Sequence, residues 1–577
     1  MTAIRVVEIE NFRGIKALRW CPTSGFNCLI GPGDSGKSTV LDAIDLCLGA
    51  RRTIQFTDAD FHAADPENTL RILVALGDLD DSLQSIDTYG EYLRGFNSED
   101  GSIEDEPGLE LETVLTVELI VGEDLEPSWK LRSDRTEETG LERGLRWSDR
   151  VRVAPLRIGT RPEDHVSWRQ GSALTKISKD FDVSRALAQA TRAARLSFGS
   201  EGGEQAELAI DVVRRVASDL GIDFDGDLAA MLDAKSVSMR AGAVSLHHGK
   251  GIPARALGTG SMRLLAAGLV RAAGSPAPTI LIDELESGLE PHRALRLLDS
   301  LGAKDSQPGQ QVIASTHSPV VVCELSGDQL FVMRRIGDRH RVIPVGTTDA
   351  MQGAARKYPD AFLAKTVVVC EGASEVGFVR GLDQYRVEVE GGTALAARGV
   401  ALIDGTGGSP DELLRKGCAF LSLGFGAAVF RDDDKSPTGE VEHQFVDAGG
   451  AVLAWSEGRA LEDELFVSLS TSACGALVNL ANELIPGDHV DKNIESASDG
   501  ALRLDAVLEE IRRGSLGATT RIVLGLAAKR GVWFKSVGKM ERVGREIVGP
   551  TLDESEESLK SVVGKLFEWV TRTSGRE

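Results

Sequence analysis

Residues 31–38 of the chain read GPGDSGKS and match the pattern G-x-x-x-x-G-K-[S/T] at every fixed position. This loop follows an apolar strand pattern, Phe26–Ile30, and precedes apolar residues at helical spacing from Thr39 to Leu48. In such a loop, glycines let backbone N–H groups face phosphates, the lysine reaches the terminal phosphates, and the last hydroxyl can ligate Mg²⁺. The stretch therefore predicts a nucleotide-binding α/β domain. Its candidate binding residues are Gly31, Gly33, Asp34, Ser35, Gly36, Lys37, Ser38 and Thr39.

A second apolar strand pattern, Thr279–Ile282, ends in two acids, Asp283 and Glu284. We expect Asp283 to bind Mg²⁺ through water and Glu284 to polarise the water that attacks the γ-phosphate. A further apolar stretch leads to His317, within the sequence THSP at residues 316–319. A histidine at the end of a strand suits a residue that senses the γ-phosphate, so His317 joins Glu284 as a candidate catalytic residue.

The order of these pieces, together with an NFRG opening, resembles ABC-type ATPases of the SMC and RecF kind. That resemblance implies ATP held between two nucleotide domains, each completed by a signature stretch of its partner. The corresponding stretch is Leu257–Arg263, with Gly260 as the candidate contact, but it lacks the usual glutamine and its serine is displaced. An ordinary turn with a helix cap at Ser261 accounts for the same residues. Either Gln55 or Asp60 would serve the loop that senses Mg²⁺ and water, and the sequence does not decide between them.

Carboxylates follow two apolar strand patterns in the second half of the chain. Glu371 and Glu375 follow the first, VVVC, while Asp432 and Asp434 follow the second, AAVFR. Asp432 and Asp434 lie on one side of an extended segment, and Asp433 points away from them. Crowded carboxylates repel one another unless a cation neutralises them, and an all-oxygen ligand set suits Mg²⁺ or Mn²⁺. Two such ions can flank a phosphodiester, so these acids predict a metal-dependent hydrolytic site.

These acids, in this order, resemble a Toprim domain, and a Toprim domain behind an ABC-type ATPase is similar to nucleases of the OLD (overcoming lysogenisation defect) family. The tandem order also resembles the nuclease subunit of Gabija-type anti-phage systems. The OLD resemblance implies a further metal-binding acid, Glu462, with Glu464 as the competing candidate. It also implies a late lysine, Lys535, that stabilises charge on the scissile phosphate, although Lys535 is equally one of several lysines in a basic stretch. Asp404, which ends the intervening strand, lies either near the site or in a plain turn.

The predicted fold class is α/β: a P-loop ATPase of the ABC type with a helical dimerisation insertion, followed by a Rossmann-like Toprim domain. The expected segments are an N-terminal ATPase lobe at residues 1–180, the helical insertion at 181–235, a C-terminal ATPase lobe at 236–358, and a Toprim domain with a basic C-terminal region at 359–577.

The formal net charge of −23 weighs against DNA binding, because proteins that neutralise phosphates usually present basic surface. The charge is uneven, however, and a local basic groove can coexist with an acidic exterior. The basic stretch near the C-terminus contains Lys529, Arg530, Lys535, Lys539, Arg542 and Arg545. Seven cysteines without a C-x-x-C pair, and no apolar run near the roughly 20 residues of a membrane span, predict a cytoplasmic protein without a disulfide framework.

These expectations combine into a homodimer or higher homo-oligomer that binds ATP and uses Mg²⁺ or Mn²⁺ to cut DNA, in anti-phage defence or DNA repair. Two alternatives stay open. One is an ATP-gated DNA-binding clamp with an inactive Toprim domain, which the retention of every expected acid and of Lys535 disfavours. The other is an assembly scaffold whose acidic surface recruits a protein partner such as a helicase.

Overall fold

A computed structural model describes the chain at residues 2–159, 162–168, 172–178, 183–201, 209–215, 244, 246–249, 251–272, 279–305, 309–455 and 458–574. The predicted helical insertion lies largely outside the described residues, and its described parts, Val183–Glu201 and residues 209–215, are helical.

The chain is divided into two compact units, each made of three stretches of sequence. Unit 1 comprises Met1–Phe12, Cys21–Asn27 and Ser38–Ser315, and unit 2 comprises Arg13–Trp20, Cys28–Lys37 and Thr316–Glu577.

The strands of the described residues are β1 (Ala3–Phe12), β2 (Ile15–Trp20), β3 (Phe26–Ile30), β4 (Leu70–Gly77), β5 (Leu93–Phe96), β6 (Ile103–Glu104), β7 (Glu112–Val121), β8 (Pro127–Arg132), β9 (Leu156–Ile158), β10 (His247–His248), β11 (Ile252–Pro253), β12 (Thr279–Ile282), β13 (Gln311–Ser315), β14 (Leu330–Ile336), β15 (Arg339–Pro344), β16 (Thr366–Cys370), β17 (Val400–Asp404), β18 (Gly426–Arg431) and β19 (Ala451–Ala454).

The α-helices with fully defined bounds are α1 (Lys37–Leu48), α2 (Ile86–Tyr89), α3 (Asp134–Thr139), α4 (Trp147–Val153), α5 (Ala173–Ile177), α6 (Val183–Glu201), α7 (Thr259–Ala272), α8 (Pro291–Ser300), α9 (Pro319–Glu324), α10 (Asp349–Lys357), α11 (Pro359–Leu363), α12 (Ala373–Val389), α13 (Pro410–Ser422), α14 (Gly439–Asp447), α15 (Leu461–Ser468), α16 (Thr471–Leu484), α17 (His489–Ala497), α18 (Leu504–Arg512), α19 (Ala518–Arg530), α20 (Val537–Arg542), α21 (Gly549–Thr551) and α22 (Glu557–Ser574). None of the helices in the described residues is long and apolar enough to cross a membrane.

Unit 1 contains an antiparallel group of strands and a parallel group. In the antiparallel group, β1 pairs with β4 and β4 with β7, while β5 and β8 pair with successive parts of β7. In the parallel group, β12 lies between β9 and β13, and Ile282 lies opposite Ala314. Because neighbouring parallel strands end at the same edge, this register brings the residue after β12, Asp283, beside the end of β13.

Unit 2 contains the end of β3, which leads into the glycine loop. This part of β3 pairs in parallel with β14, with Cys28 opposite Leu330, and β14 pairs antiparallel with β15. Residues 28–30 of β3 are all buried.

A second sheet of unit 2 has four parallel strands in the order β17-β16-β18-β19. Helices α12, α13 and α14 connect successive strands, as crossover connections in a parallel sheet require. Cys370, the last residue of β16, lies opposite both Asp404 and Phe430. Phe378, Phe430 and Trp455 pack against one another with ring centroids 5.2–6.5 Å apart, and they belong to the large apolar core beside this sheet. The register places the acids that follow these strands at one edge.

The first of two close helix contacts beside this sheet joins α19 to α15. Arg521 on α19 donates hydrogen bonds to the backbone oxygens of Phe466 and Leu469 at the end of α15, at 2.8 and 2.7 Å. One turn later, a Cβ at Gly525 would lie 3.0 Å from the Cα of Asp463 near the start of α15. Helix α19 therefore runs antiparallel to α15 at a separation that a side chain at position 525 would prevent.

A similar approach joins α12 to α20. A Cβ at Gly377 would lie 2.3 Å from the backbone oxygen of Val537, and one at Gly381 would lie 2.2 Å from the backbone oxygen of Glu541. Because both neighbours are backbone atoms, neither contact can be relieved by a change of rotamer. This packing fixes the segment before α20, which contains Lys535, relative to the helix that carries Glu375.

We predict that Gly377→Ala lowers the free energy of unfolding by about 1–3 kcal/mol, because the added methyl group forces α12 and α20 apart. The measurement is urea denaturation followed by far-ultraviolet circular dichroism. Gly538→Ala is the matched control, since a Cβ there meets no atom of the described residues within 4 Å and alanine favours the helix. Equal stability of the two variants would contradict the close packing of these helices.

Candidate functional site

The loop between β3 and α1 depends on two glycines. Gly31 and Gly36 have φ angles of +135° and +91°, in the region that favours glycine. A Cβ at Gly31 would lie 2.7 Å from the backbone oxygen of Met333, and one at Gly36 would lie 3.0 Å from the Met333 side chain. Asp34, between them, has a φ of +59°. The backbone of this loop therefore curves tightly, as a phosphate-binding loop must.

The Lys37 ammonium lies inside this curve. The side chain is buried, and Nζ donates hydrogen bonds to the backbone oxygens of Gly31 and Pro32 at 3.1 and 2.6 Å and to Ser35 Oγ at 3.2 Å. A buried ammonium is stable only when its hydrogen bonds are satisfied, and here the loop itself satisfies them. The positive charge of Lys37 is thus held within the loop, where a phosphate would bind.

The hydroxyl of Ser38 and the carboxylate of Asp283 are in direct contact. Ser38 Oγ donates to Asp283 Oδ1 at 2.9 Å, and Ser315 Oγ donates to the same oxygen at 2.6 Å. Ser315 Oγ in turn accepts from the backbone N–H of Glu284 at 2.8 Å. The two residues predicted to share a Mg²⁺ ion therefore already share a hydrogen bond.

The stretch Leu257–Arg263 packs against its own chain. Gly260 is buried at the start of α7, and a Cβ there would lie 2.6 Å from the backbone oxygen of Gly288. Ser261 Oγ accepts from Arg293 Nη1 at 3.2 Å. Gly260 is therefore required by a close backbone approach, whatever else this stretch contacts.

The other candidates of the first half of the chain differ in exposure. Glu284 is exposed with a φ of +46°, and His317 and Gln55 are exposed as well. Asp60 instead accepts hydrogen bonds from the backbone N–H and the hydroxyl of Thr57, at 3.1 and 3.2 Å. The Asp60 carboxylate thus stabilises its own turn, whereas the Gln55 side chain is open to solvent.

The acids of the second half converge at one edge of the four-stranded sheet. Ligand oxygens of Glu371, Asp432 and Asp434 all lie within 4.8 Å of one another. Glu371 Oε2 also accepts from the backbone N–H of Asp432 at 2.9 Å. The parallel pairing of β16 with β18 produces this arrangement, because both strands end at the same level. Asp433 points elsewhere and accepts from the backbone N–H of Gly458 at 3.0 Å.

Glu375 and Asp404 lie beside this acid cluster, which we define as Glu371, Asp432 and Asp434. Glu375 Oε2 accepts from the backbone N–H of Gly372 at 2.8 Å, so the buried carboxylate caps the start of α12. Asp404 Oδ1 accepts from the backbone N–H of Thr406 at 2.7 Å, and this carboxylate stabilises the turn after β17.

The acid cluster is electrostatically strained. Burial, together with the charges of Glu371 and Glu462, raises the pKa of Asp432 to about 8. Burial, followed by the charge of Asp432, raises the pKa of Glu375 well above its usual range. Each carboxylate has lost water and gained negative neighbours, and both changes disfavour ionisation.

Glu462 and Glu464, both in the first turn of α15, have different surroundings. Glu464 accepts from Arg459 Nη1 at 3.1 Å and from Ser468 Oγ at 2.6 Å, so its charge is neutralised within the protein. Glu462 Oε1 is buried and has no hydrogen-bond partner among the described residues. The neighbouring Leu461 donates its backbone N–H to Asp432 Oδ1 at 2.9 Å, so Glu462 lies next to the acid cluster, and its charge is one of the causes that raise the pKa of Asp432.

Two lysines lie on the same side of unit 2. Lys529 Nζ donates to Asp434 Oδ2 at 2.7 Å. Lys535 is exposed, follows the fully buried Trp533 and Phe534, and lowers the pKa of Glu462 through its charge. Burial is the largest influence on the pKa of Glu462 and leaves it raised.

The acid cluster fits a hard divalent cation on its own chemistry. All the donors are carboxylate oxygens, which Mg²⁺ and Mn²⁺ prefer. The unpartnered oxygen of Glu462 and the raised pKa of Asp432 both indicate more negative charge than Lys529, which pairs with Asp434, balances. Glu371, Asp432 and Asp434 would hold the ion, with Glu375 and Glu462 adjoining.

Comparison with protein families gives a match over residues 26–323 to AAA_21, described as "AAA domain, putative AbiEii toxin, Type IV TA system". The matched residues make up more than half of the chain. The chain belongs to the AAA_21 family. Residues 26–323 are therefore an AAA-type ATPase domain, and the prediction of a P-loop ATPase is confirmed at that level. The AAA_21 match ends before β16 and does not extend to the acid cluster.

Solved structures similar to the chain include heads of SMC proteins. The SMC head bound to the C-winged helix domain of ScpA is 17% identical, with a TM-score of 0.33, over 59% of this chain and 97% of that chain. The SMC head with an extended coiled coil, bound to the C-terminal domain of ScpA from Pyrococcus furiosus, is 15% identical, with a TM-score of 0.33, over 59% and 96%. The SMC head domain from Thermotoga maritima is 16% identical, with a TM-score of 0.28, over 60% and 99%. Likenesses this weak support no conclusion. A comparison with curated proteins gave no match.

The AAA_21 domain contains polar contacts that its motifs did not predict. Ser315 binds Asp283, and Arg263 Nη1 donates to the backbone oxygen of Ser287 at 2.9 Å. Arg157 on β9 lies 3.5 Å from Asp45 and 3.9 Å from Asp283. Ser315 and Arg157 belong to the two strands that flank β12, and this position was the only feature of the sequence that could have indicated their contacts with Asp283.

We predict that Glu464→Gln lowers the free energy of unfolding by about 1–3 kcal/mol, because it removes the buried carboxylate charge that faces the Arg459 guanidinium. Glu462→Gln should cause no such loss in EDTA, since it removes a repelling charge from the acid cluster. Both are measured by urea denaturation. A loss in Glu462→Gln equal to that in Glu464→Gln would mean that Glu462 is a structural acid.

Proposed function

We propose that the chain is a divalent-metal-dependent DNA endonuclease whose second half is a Toprim nuclease domain of the OLD kind. The observation that carries this proposal is the convergence of Glu371, Asp432 and Asp434 within 4.8 Å at the edge of a parallel sheet. The positions of these acids at neighbouring strand ends are those expected from the Toprim resemblance. Two bound ions would activate the attacking water and stabilise the leaving oxygen of a phosphodiester.

The charge around the acid cluster favours a phosphodiester substrate. Arg530, Lys535 and Lys539 have no carboxylate within ion-pair distance among the described residues, in contrast to Arg542, which pairs with Glu483 at 2.7 Å. Of these three, Lys535 is the one whose charge acts on an acid beside the cluster, Glu462, and a cation there can bind a phosphate next to the scissile bond. The net charge of −23 is therefore compatible with a local phosphate-binding surface.

Lys535 is proposed to contact the scissile phosphate. Its backbone is anchored by two buried aromatic residues, and Trp533 Nε1 donates to Asn493 Oδ1 at 3.1 Å. A lysine with a fixed main chain and an exposed side chain can bind an anionic oxygen at a low cost in conformational entropy, because only its side chain has to become ordered.

The AAA_21 domain is proposed to bind ATP and Mg²⁺ through Lys37, Ser38 and Asp283, with Glu284 positioning the attacking water and His317 sensing the γ-phosphate. The hydrogen bond between Ser38 and Asp283 supports this assignment, because both groups are the expected partners of Mg²⁺. Nucleotide binding would control DNA cutting, in a homodimer or a higher assembly.

We predict that Asp432→Asn reduces DNA cutting to the level of a reaction without enzyme, because it removes a central ligand of the acid cluster. The assay is nicking of supercoiled plasmid with Mg²⁺ or Mn²⁺, with and without ATP. Asp433→Asn is the matched control and should cut normally, since its carboxylate binds the backbone of Gly458. Cutting by Asp432→Asn at the rate of the unmodified protein would refute the nuclease proposal and favour a DNA clamp.

We predict that Lys37→Met abolishes binding of a fluorescent ATP analogue, whereas Glu284→Gln retains binding and loses hydrolysis. The control is Lys16→Met, which removes an exposed lysine that pairs with Asp338. Analogue binding by Lys37→Met with unchanged affinity would show that ATP binds elsewhere.

A further inference from the structure

The ion pair between Lys529 and Asp434 lies at the solvent-exposed side of the acid cluster. The side chains of Lys529 and Asp434 are 33% and 27% exposed, and Nζ lies 2.7 Å from Oδ2. The charges of Asp463 and Asp432 act on Lys529 in addition to that of Asp434. Lys529 is thus the protein's own cation at a site that otherwise gathers only carboxylates.

The fold positions Lys529 through a stripe along α19. Arg521, Gly525 and Lys529 are spaced four residues apart and therefore share one face of the helix. Arg521 binds the end of α15, and Gly525 allows close contact with Asp463 near its start. These two contacts fix the face of α19 on which Lys529 lies.

We propose that the Lys529 ammonium occupies a cation position of the acid cluster in the metal-free protein, and that a divalent metal must displace it from Asp434. This inference rests on the proposed metal site. An ammonium within hydrogen-bond distance neutralises part of the charge that would attract the metal, and it repels a second cation nearby. The Asp434 carboxylate therefore exchanges one cation for another when metal binds.

Displacement of Lys529 from Asp434 would couple the binding of metal to the binding of DNA. Once released from Asp434, Lys529 remains tethered beside the cluster, where the phosphates of the substrate would lie. A phosphate that pairs with Lys529 draws the ammonium away from Asp434, which then becomes available to the metal. A metal that binds Asp434 in turn releases Lys529, which can then pair with a phosphate. Binding of metal and of DNA are coupled reciprocally by this exchange.

The test is Mn²⁺ binding, measured by electron paramagnetic resonance of free Mn²⁺ without DNA or ATP. We expect Lys529→Met to bind Mn²⁺ roughly tenfold more tightly than the unmodified protein, within the usual range of coupling between two ligands. Lys529→Arg, which keeps the charge, should retain the lower affinity. An affinity of Lys529→Met equal to or below that of the unmodified protein would overturn the proposal.

A double-mutant cycle separates displacement at Asp434 from a general effect of charge. In the Asp434→Asn background the ion pair is absent, so adding Lys529→Met should raise the Mn²⁺ affinity by much less than it does in the unmodified protein, because only the longer-range charge of Lys529 is then removed. The same gain in both backgrounds would show that Lys529 acts only at long range and would overturn the proposal. Circular dichroism and thermal unfolding confirm that each variant is folded.

A different result of the Mn²⁺ measurement would contradict the proposed function itself. If the unmodified protein binds no more Mn²⁺ than Glu371→Gln does, the acid cluster is not a metal site, and both proposals are wrong. If the unmodified protein binds Mn²⁺ through Glu371 but Lys529→Met changes nothing, only the displacement by Lys529 is wrong.

Discussion

Mutual repulsion among carboxylates at the edge of a parallel sheet is the constraint on which the second half of this protein depends. Three acidic side chains with oxygens within 4.8 Å of one another are unfavourable in a partly buried setting. Two hydrogen bonds from the backbone offset part of this cost. The N–H of Asp432 donates to the Glu371 carboxylate, and the N–H of Leu461 donates to the Asp432 carboxylate, each at 2.9 Å. Burial, together with the charges of Glu371 and Glu462, still raises the pKa of Asp432 to about 8, so a bound cation would stabilise the acid cluster.

The surrounding fold holds the acids together against this repulsion. Buried apolar strands deliver Glu371 and Asp432 to the same edge, and the register of β16 with β18 leaves no freedom to separate them. Helices α12 and α19 are then locked in place by close backbone approaches at Gly377 and Gly525. The strain at the site is therefore compensated by packing that lies outside it.

Strand ends could be predicted from the sequence because an apolar run followed by acids is typical of a buried strand that ends at a polar edge. The phosphate loop and α1 were predictable for a similar reason, and the family match confirms an ATPase domain over residues 26–323. Glu462 and Glu464 could not be separated, since one helical turn contains both and only tertiary contacts distinguish them. Lys529 could not be recognised either, because nothing local marks one lysine of a basic stretch as the partner of an acid 95 residues earlier.

The strand-end carboxylates of the two candidate sites have different partners, and the difference bears on how each site would accept a metal. Asp283 accepts hydrogen bonds from the hydroxyls of Ser38 and Ser315, which are neutral and leave the negative charge in place. Asp434 instead pairs with an ammonium, which cancels its charge. A metal that binds together with a nucleotide can contact Ser38 and Asp283 without displacing a hydrogen-bonded cation. The nearest cation, Arg157, lies 3.9 Å from Asp283 and also pairs with Asp45. The acid cluster has no such freedom, since an incoming dication must first overcome a charge of its own sign. An acid cluster without this ion pair would take up metal whenever metal is present, whereas on the proposed displacement the Lys529 contact would make metal binding depend on an anion that competes for Lys529.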